Sequence, residues 1–389
     1  MQMAVNVVRP RIVPAQKAPE FSVEVFAGDD LERAGWPSIS DTSDLRMYVY
    51  QSREFLKVWM DTIGDAHRAQ SFLVVVNHRQ RGPVLYLPLV IEKKFNVRLL
   101  RFMDAGVADF NAPIVAPGVE FTRPEFAAVW SQILARLPKV DAVDLQKISA
   151  NVAGAANPLA YLDCTPHGSS GHAIVQSAMR DDVNARPSVV RLRKKLRRDF
   201  RRLNRLGEAN FAINPSAAES DEIFTTLIKF KHRKYMATVG SDFLAMPGVR
   251  RFYREMVSPQ SVGGVSHLSA LTCGGEVVSA HLGFMGRSSF YYTFPAYNPA
   301  YRQYSVGHLL LQYLIDQSAA QGLDTFELGE GDFPYKAKWV THRLSLHNHE
   351  QGLSAAGLFY LHVRRVRRAL DMSDMSELQH EPQAPEQNR

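Results

Sequence analysis

Residues Tyr297–Trp339 read YNPAYRQYSVGHLLLQYLIDQSAAQGLDTFELGEGDFPYKAKW, and the order of elements within them is loop, helix, strand, loop. The helix is expected to open at Ser305-Val306-Gly307-His308 and to stop at Gly322, where a left-handed residue costs glycine nothing. Ser305 is the expected N-cap, its hydroxyl accepting from a first-turn N–H. Arg302 precedes it. Free N–H groups, the positive end of the helix dipole and an arginine together suit a phosphate. The strand Thr325–Leu328 then runs into Gly329-Glu330-Gly331-Asp332, with Tyr335-Lys336 just beyond. A strand end beside a helix start is where open α/β sheets place their ligands.

Outward from this stretch, the 389 residues suffice for two domains of ordinary size. A hydrophobic content of 46% with 22% charged residues describes a globular chain. No apolar run reaches the roughly 18–20 residues that cross a bilayer, and the N-terminus lacks the apolar core of a secretion signal. Cys164 and Cys273 fit neither a disulfide framework nor metal-ligand spacing, so no metal is expected. A cytoplasmic protein, peripheral at the inner membrane in one reading, is the expectation.

The net charge of +7 is local. Arg191–Arg205 holds nine basic residues and one Asp, and the rest of the chain sums to −1. Leu192, Leu196, Phe200 and Leu203 form one stripe, so the segment reads as an amphipathic basic helix. It has three readings: a solvated inter-domain helix, an anionic membrane surface, or nucleic acid. The last is disfavoured because no aromatic stacking pattern accompanies the charges.

The remaining pattern falls into two similar halves. Strands are expected at Phe21–Phe26, Ser71–Val76, Val84–Glu92, Val97–Phe102, Ala142–Ile148 and His172–Gln176, with helices at Ser52–Ile63 and Arg123–Leu137. After the basic helix come a strand at Asn210–Ile213, helices at Ser220–Met236 and Gly248–Val257, then strands Val265–Cys273, Glu276–Met285 and Ser288–Phe294. Gly274-Gly275 marks a hairpin. A strand at Ser345–His349 and a helix at 353–370 close the second half. The expected units are a disordered leader 1–20, an N-terminal domain 21–185, a linker helix 186–207, a catalytic domain 208–370 and a disordered tail 371–389.

Three consecutive strands, a loop, a phosphate-favouring helix start and a strand resemble the GNAT acyltransferase fold. Arg302-Gln-Tyr-Ser305-Val-Gly307 resembles its acyl-CoA loop, with Ser305 in place of the first glycine. Ser-x-Gly-His-Leu-Leu, Phe-Glu-Leu-Gly-x-Gly and Tyr335-Lys336-x-x-Trp339 together resemble the tandem-GNAT family of CelD-type cellulose-biosynthesis proteins, related to Fem-type aminoacyltransferases. Val306 stands where that family commonly has proline, and Glu327 where it often has Asp. The basic helix and the segments Phe230-Lys-His232-Arg233, Leu87-Pro88-Leu89 and Asp109–Asn111 also resemble that family. The resemblance implies an α/β chain of two tandem GNAT-like domains with mixed, mostly antiparallel sheets, joined by the basic helix. It implies an acyl-CoA co-substrate, no permanently bound cofactor, and acyl transfer to an amine or hydroxyl.

The candidate catalytic residues are His281, Glu330 and Lys336. Lys336 would contact a phosphate or polarise a carbonyl, or else form a surface ion pair with Glu330 or Asp332. Glu330 and Asp332 would act as general base or amine binder, or form a solvated turn. His281 would be a base near neutral pH or a satisfied core residue. Arg302, Ser305, Val306, Gly307, His308 and Tyr292 are the candidate cofactor contacts, and Asp332, Tyr335 and Trp339 the candidate acceptor contacts. The functional expectation is an acyl-CoA-dependent N-acyltransferase. A membrane lipid amine such as a sphingoid base is one concrete acceptor, giving a ceramide-like product. The alternatives are exopolysaccharide acetylation, Fem-type transfer from aminoacyl-tRNA, and a non-catalytic scaffold.

Overall fold

The computed structural model describes residues 20–41, 44–238, 241–258 and 264–378. The expected leader lies, but for Glu20, outside the described residues, as does the tail beyond 378. The last helix, Ala355–Leu378, continues past the end expected at 370.

The strands in chain order are β1 (Phe21–Ala27), β2 (Gln70–His78), β3 (Gly82–Lys94), β4 (Val97–Phe102), β5 (Ile114–Val115), β6 (Ala142–Ser149), β7 (Asn151–Val152), β8 (Ala155–Ala156), β9 (Cys164–Pro166) and β10 (Gly171–Val175). The second half adds β11 (Ala209–Ile213), β12 (Ser266–Cys273), β13 (Glu276–Met285), β14 (Ser289–Tyr297), β15 (Thr325–Glu330), β16 (His342–Leu344) and β17 (Leu346–Gly352). One sheet runs β1-β2-β3-β4-β6-β17-β9, with β5 alongside β3. The other runs β11-β12-β13-β14-β15-β10-β16. In each sheet a three-strand meander is followed by one parallel pair, β4–β6 or β14–β15. The remaining pairs are antiparallel.

The sheets exchange a strand. His172–Val175, which the sequence order assigns to the first half, pairs with β15 in the second sheet. Residues 346–352 return to pair with β6 in the first. A cut at 185 or 208 therefore separates two strands from their sheets. Alternation along a strand specifies which face is buried and is silent about the partner strand.

Packing follows from this order. Trp36, Tyr50, Phe55, Phe252, Phe284 and Tyr291 belong to one core shared by both halves. The helix Arg123–Arg136 covers the outer face of the first sheet with Phe126, Val129, Trp130 and Ile133. The basic helix, Pro187–Leu203, and the helix Val306–Ala320 cover the outer face of the second. The basic helix is thus a packed element that buries Val189, Leu192, Leu196 and Leu203. No described helix is long and apolar enough to cross a membrane, and no group of three or more His, Cys, Asp or Glu among the described residues could hold a metal.

Candidate active site between two splayed strands

β14 and β15 pair only through Ser289–Tyr291 and Thr325–Glu327. β14 then continues to Tyr297 and β15 to Glu330, so the two parallel strands diverge into a wedge. At the mouth stands the turn Pro299–Tyr304, with Arg302 exposed, followed by the helix Val306–Ala320.

Ser305 does not cap this helix. Its backbone is left-handed (φ 55°), the conformation the missing glycine would adopt without strain. Its hydroxyl donates to Asp199 Oδ2 at 2.9 Å, and the Lys195 ammonium donates to the hydroxyl. The first turn is therefore left without a side-chain cap. Asp199 is buried and also draws Lys195, Arg198 and Arg202 toward the helix start. Against the opposing effect of burial, Lys195, the Ser305 bond and Arg198 hold its carboxyl below the usual range. Gly307 has no room for a side chain without pressing on the Tyr297 ring, 3.1 Å from a notional Cβ. Val306 is buried. His308 is held below its usual pKa by burial and by Lys195 and Lys338, so it is neutral at pH 7.

The other sequence candidates separate. Tyr292 is buried under the helix and stacks on His281 at 4.4 Å, so its ring faces the core and not the wedge. His281 is fully buried, and its Nδ1 lies 3.3 Å from Ser269 Oγ. Burial, His267 and Lys231 push it well below the usual histidine range, which leaves a neutral ring of low basicity. Trp339 is also fully buried, with the Arg193 guanidinium over its ring at 5.4 Å. Its side chain has no route to an acceptor. Tyr335 is half-buried, and desolvation raises its phenol.

At the far side of the wedge, β15 ends in a polar cluster that both halves build. Gly329 is left-handed, and a Cβ there would stand 2.5 Å from the Asp109 carboxylate. Asp109 comes from the loop after β4. It accepts from the Tyr50 hydroxyl at 2.7 Å and from the Glu330 N–H at 3.2 Å. Desolvation raises its pKa despite these bonds and nearby Lys147 and Lys336. The Glu330 carboxylate turns to the first half, accepting from Ser169 at 2.6 Å, with His167 Nε2 at 3.0 Å and Lys147 Nζ at 3.8 Å. These partners outweigh desolvation and hold it below its usual value, so Glu330 is ionised and a weak proton acceptor.

Lys336 is buried, and its ammonium donates to the carbonyls of Gly329 (3.0 Å) and Glu330 (2.6 Å). It is not the surface partner of Glu330 or Asp332. Asp332 instead lies 3.1 Å from His172. Desolvation brings Lys336 down to about 8.

Three residues absent from the sequence-derived set join this cluster. Asp109 is one. Lys231, on the helix Ala217–Thr238, lies with its ammonium 4.1 Å from the Phe294 ring centre and is pushed down to about 7, chiefly by burial. Glu327, opposite Tyr291 at the apex of the wedge, is pushed up to about 7 by desolvation. Asp109–Asn111 and Phe230–Arg233 were visible as motifs, but only the strand exchange and the packing of the halves bring Asp109 to Gly329 and Lys231 within electrostatic reach of Asp109.

In the first half the matching parallel strands, β4 and β6, pair only through Leu99–Leu100 and Ala142–Val143. Asn111 fills the gap beside β6, donating its N–H to Lys147 O at 2.8 Å and accepting from the Ser149 N–H at 3.1 Å. The first turn of that half's long helix, unlike that at Ser305, carries a Thr122–Glu125 capping box.

Comparisons with known proteins bear on the fold. Residues 190–337 match the family described as the acetyltransferase (GNAT) domain. No curated protein matches the chain. The solved structure of FemX is 12% identical over 84% of this chain and 97% of its own, with a TM-score of 0.54. A conserved protein of unknown function from Bacteroides thetaiotaomicron is 10% identical over 84% and 99%, with a TM-score of 0.52. A tandem GNAT protein from the clavulanic acid biosynthesis pathway is 12% identical over 86% and 98%, with a TM-score of 0.48. The fold is that of two tandem GNAT-like domains, and the second half, over residues 190–337, is similar to the GNAT acetyltransferase domain.

Proposed function

We propose that this chain is an acyl-CoA-dependent N-acyltransferase whose chemistry lies in the wedge between β14 and β15. The observation that carries the reading is the uncapped helix start at Ser305–Gly307, ringed by Lys195, Arg198 and Arg202 and placed at the wedge mouth. Backbone N–H groups and fixed cations at one point suit the diphosphate of a coenzyme A ester. The thioester arm then lies along the unpaired edge of β14 toward Gly329.

In this reading a neutral amine attacks the thioester carbonyl, the C–N bond forms, the C–S bond breaks and coenzyme A leaves as a thiolate that is then protonated to the thiol. The proton leaving the amine needs an acceptor of raised pKa at the inner end of the wedge. Asp109 fits that role better than the paired Glu330 or the sealed His281. Lys336, fixed by two carbonyls, supplies positive charge beside the developing oxyanion. Tyr335 and Asp332 border the acceptor side.

The acceptor of this reading is a membrane lipid amine, a sphingoid base in its most specific form, giving a ceramide-like product. The last helix, with Arg365 and Arg367 exposed, supports it. Exopolysaccharide acetylation, as in the CelD-type resemblance, has no feature of the site in its favour over a lipid amine. The likeness to FemX concerns the fold and leaves an aminoacyl donor without specific support.

Titration calorimetry with acetyl-CoA, palmitoyl-CoA and free CoA tests the donor. Binding of at least one acyl-CoA is expected; binding of none overturns the reading. Mass spectrometry of products from palmitoyl-CoA and sphinganine tests the acceptor. An N-acyl product is expected, and turnover only with other amines removes the sphingoid assignment.

A further inference from the structure

The hairpin joining β3 to β4 turns through Phe95-Asn96, both in left-handed backbone (φ 49° and 64°). Such two-residue turns favour Asn-Gly, because both central residues take a left-handed backbone that Asn and Gly tolerate and a bulky side chain does not. Here that position holds a phenylalanine, and it is 79% exposed. Neither turn preference nor packing accounts for an aromatic ring at this tip. Lys93 and Lys94 flank it and are exposed.

A second exposed aromatic faces the same space. Phe359, on the last helix, is 70% exposed. Lys94, Phe95, Met246, Phe359, Val363 and Arg367 line one open cavity of about 840 Å³. The carboxylates in its wall are already matched. Asp104 pairs with Lys147 at 2.8 Å, and Asp144 with Arg101 at 2.8 Å and with Arg364. The rim therefore presents exposed lysine and arginine around apolar side chains.

We propose that this face, the Phe95 tip with the Phe359 side of the last helix, docks the chain on an anionic phospholipid bilayer. The two rings enter the interface between headgroups and acyl chains, and Lys93, Lys94 and Arg367 meet the lipid phosphates. A convex, strained aromatic tip suits insertion into a bilayer, whereas a free ligand would be enclosed. The inference deepens the lipid-amine reading and rests on it for its purpose, since the acceptor would then be drawn from the same surface. It assigns docking to a different element from the basic helix, whose Asp199, Arg193 and leucines are committed to the second domain.

The test is co-sedimentation of the full chain, without acyl-CoA, with vesicles of phosphatidylglycerol and phosphatidylcholine. Binding that falls with added salt is expected, with little binding to pure phosphatidylcholine. Phe95→Gly with Phe359→Ser should lower the partition by at least about 10-fold. Replacing Lys93, Lys94 and Arg367 with Gln should lower it on the order of 100-fold. Phe95→Gly alone should raise the thermal midpoint, because glycine relieves the turn. Wild-type binding by both multiple variants, or a lowered midpoint for Phe95→Gly, overturns the inference. So does a wild-type dimer that the Phe pair variant turns into a monomer, or binding of free fatty acid with no binding to vesicles. Vesicle binding without any acyl-CoA binding would instead overturn the function proposed above and leave the docking face standing.

Discussion

The Ser305 hydroxyl bonds the buried Asp199 carboxylate at 2.9 Å, so a residue placed to cap one helix instead ties it to another. That bond draws the basic helix onto the helix Val306–Ala320 and leaves the latter's first turn open to a ligand. Arg193, paired with Asp316 at 2.8 Å, fastens the same two helices further along.

Asp199→Asn tests this arrangement. It removes the charge that holds Lys195, Arg198 and Arg202 at the helix start. Stability should fall by ~1–3 kcal/mol, and the dissociation constant for coenzyme A should rise about 10-fold. Calorimetry and denaturant titration measure the two. Unchanged coenzyme A affinity would remove the basic helix from the donor site.

Lys336→Ala leaves two carbonyls at the end of β15 without their donor. Turnover should fall on the order of 100-fold with a smaller change in KM, since charge at the oxyanion acts on the transition state. Steady-state kinetics with a good acceptor reads this directly. His281→Leu should keep most of the activity, because the histidine is sealed in the core as a neutral ring.

Lys231 gives a pH signature. Its folded pKa of about 7 lies below the ordinary lysine value of 10.5, so the unfolded chain binds more protons between those limits. Stability should therefore rise with pH across that window, at up to about 1.4 kcal/mol per pH unit from this group. Lys231→Met should stabilise the protein most below pH 7 and progressively less toward pH 10.5. Thermal melts of both proteins across pH measure the difference; a constant offset would show that Lys231 is not desolvated as described.

Lys147 is a left-handed residue within β6 (φ 56°) whose ammonium reaches Asp104, the Ala108 carbonyl and Glu330. Lys147→Met should destabilise the chain by ~3–5 kcal/mol, because it strands buried carboxylates. The Lys147→Met, Glu330→Gln double variant should recover part of that loss, and a double-mutant cycle in urea would measure the coupling. Strict additivity would deny that the two halves are locked through this pair.

Much of the fold was legible. The amphipathic stripe of the basic helix, the Gly274-Gly275 hairpin (φ 57° and 84°) and the Ser52 cap, which accepts from the Phe55 N–H at 3.3 Å, depend on neighbours in the chain. Such signals act through residues within one or two turns of each other. The repeated order of strands and helices pointed to two like halves for the same reason.

The site was legible only in outline. Its glycines, helix start and lysine stood in the motifs around Ser305, Gly329 and Lys336. The sequence did not show that Glu330 would face His167, that Lys336 would be spent on carbonyls, or that Trp339 and Tyr292 would be sealed in the core.

The sequence by itself determined the local elements, their order and the position of a phosphate-favouring helix start. Backbone propensity, capping and hydrophobic periodicity are properties of neighbouring residues. Only the tertiary structure decided that β10 and β17 change sheets, that Asp109 crosses to Gly329, and that Ser305 gives its hydroxyl to Asp199. Strand partners and buried charges are chosen by contacts between residues far apart in the chain, 221 positions in the case of Asp109 and Glu330. Those contacts have no local signature to read.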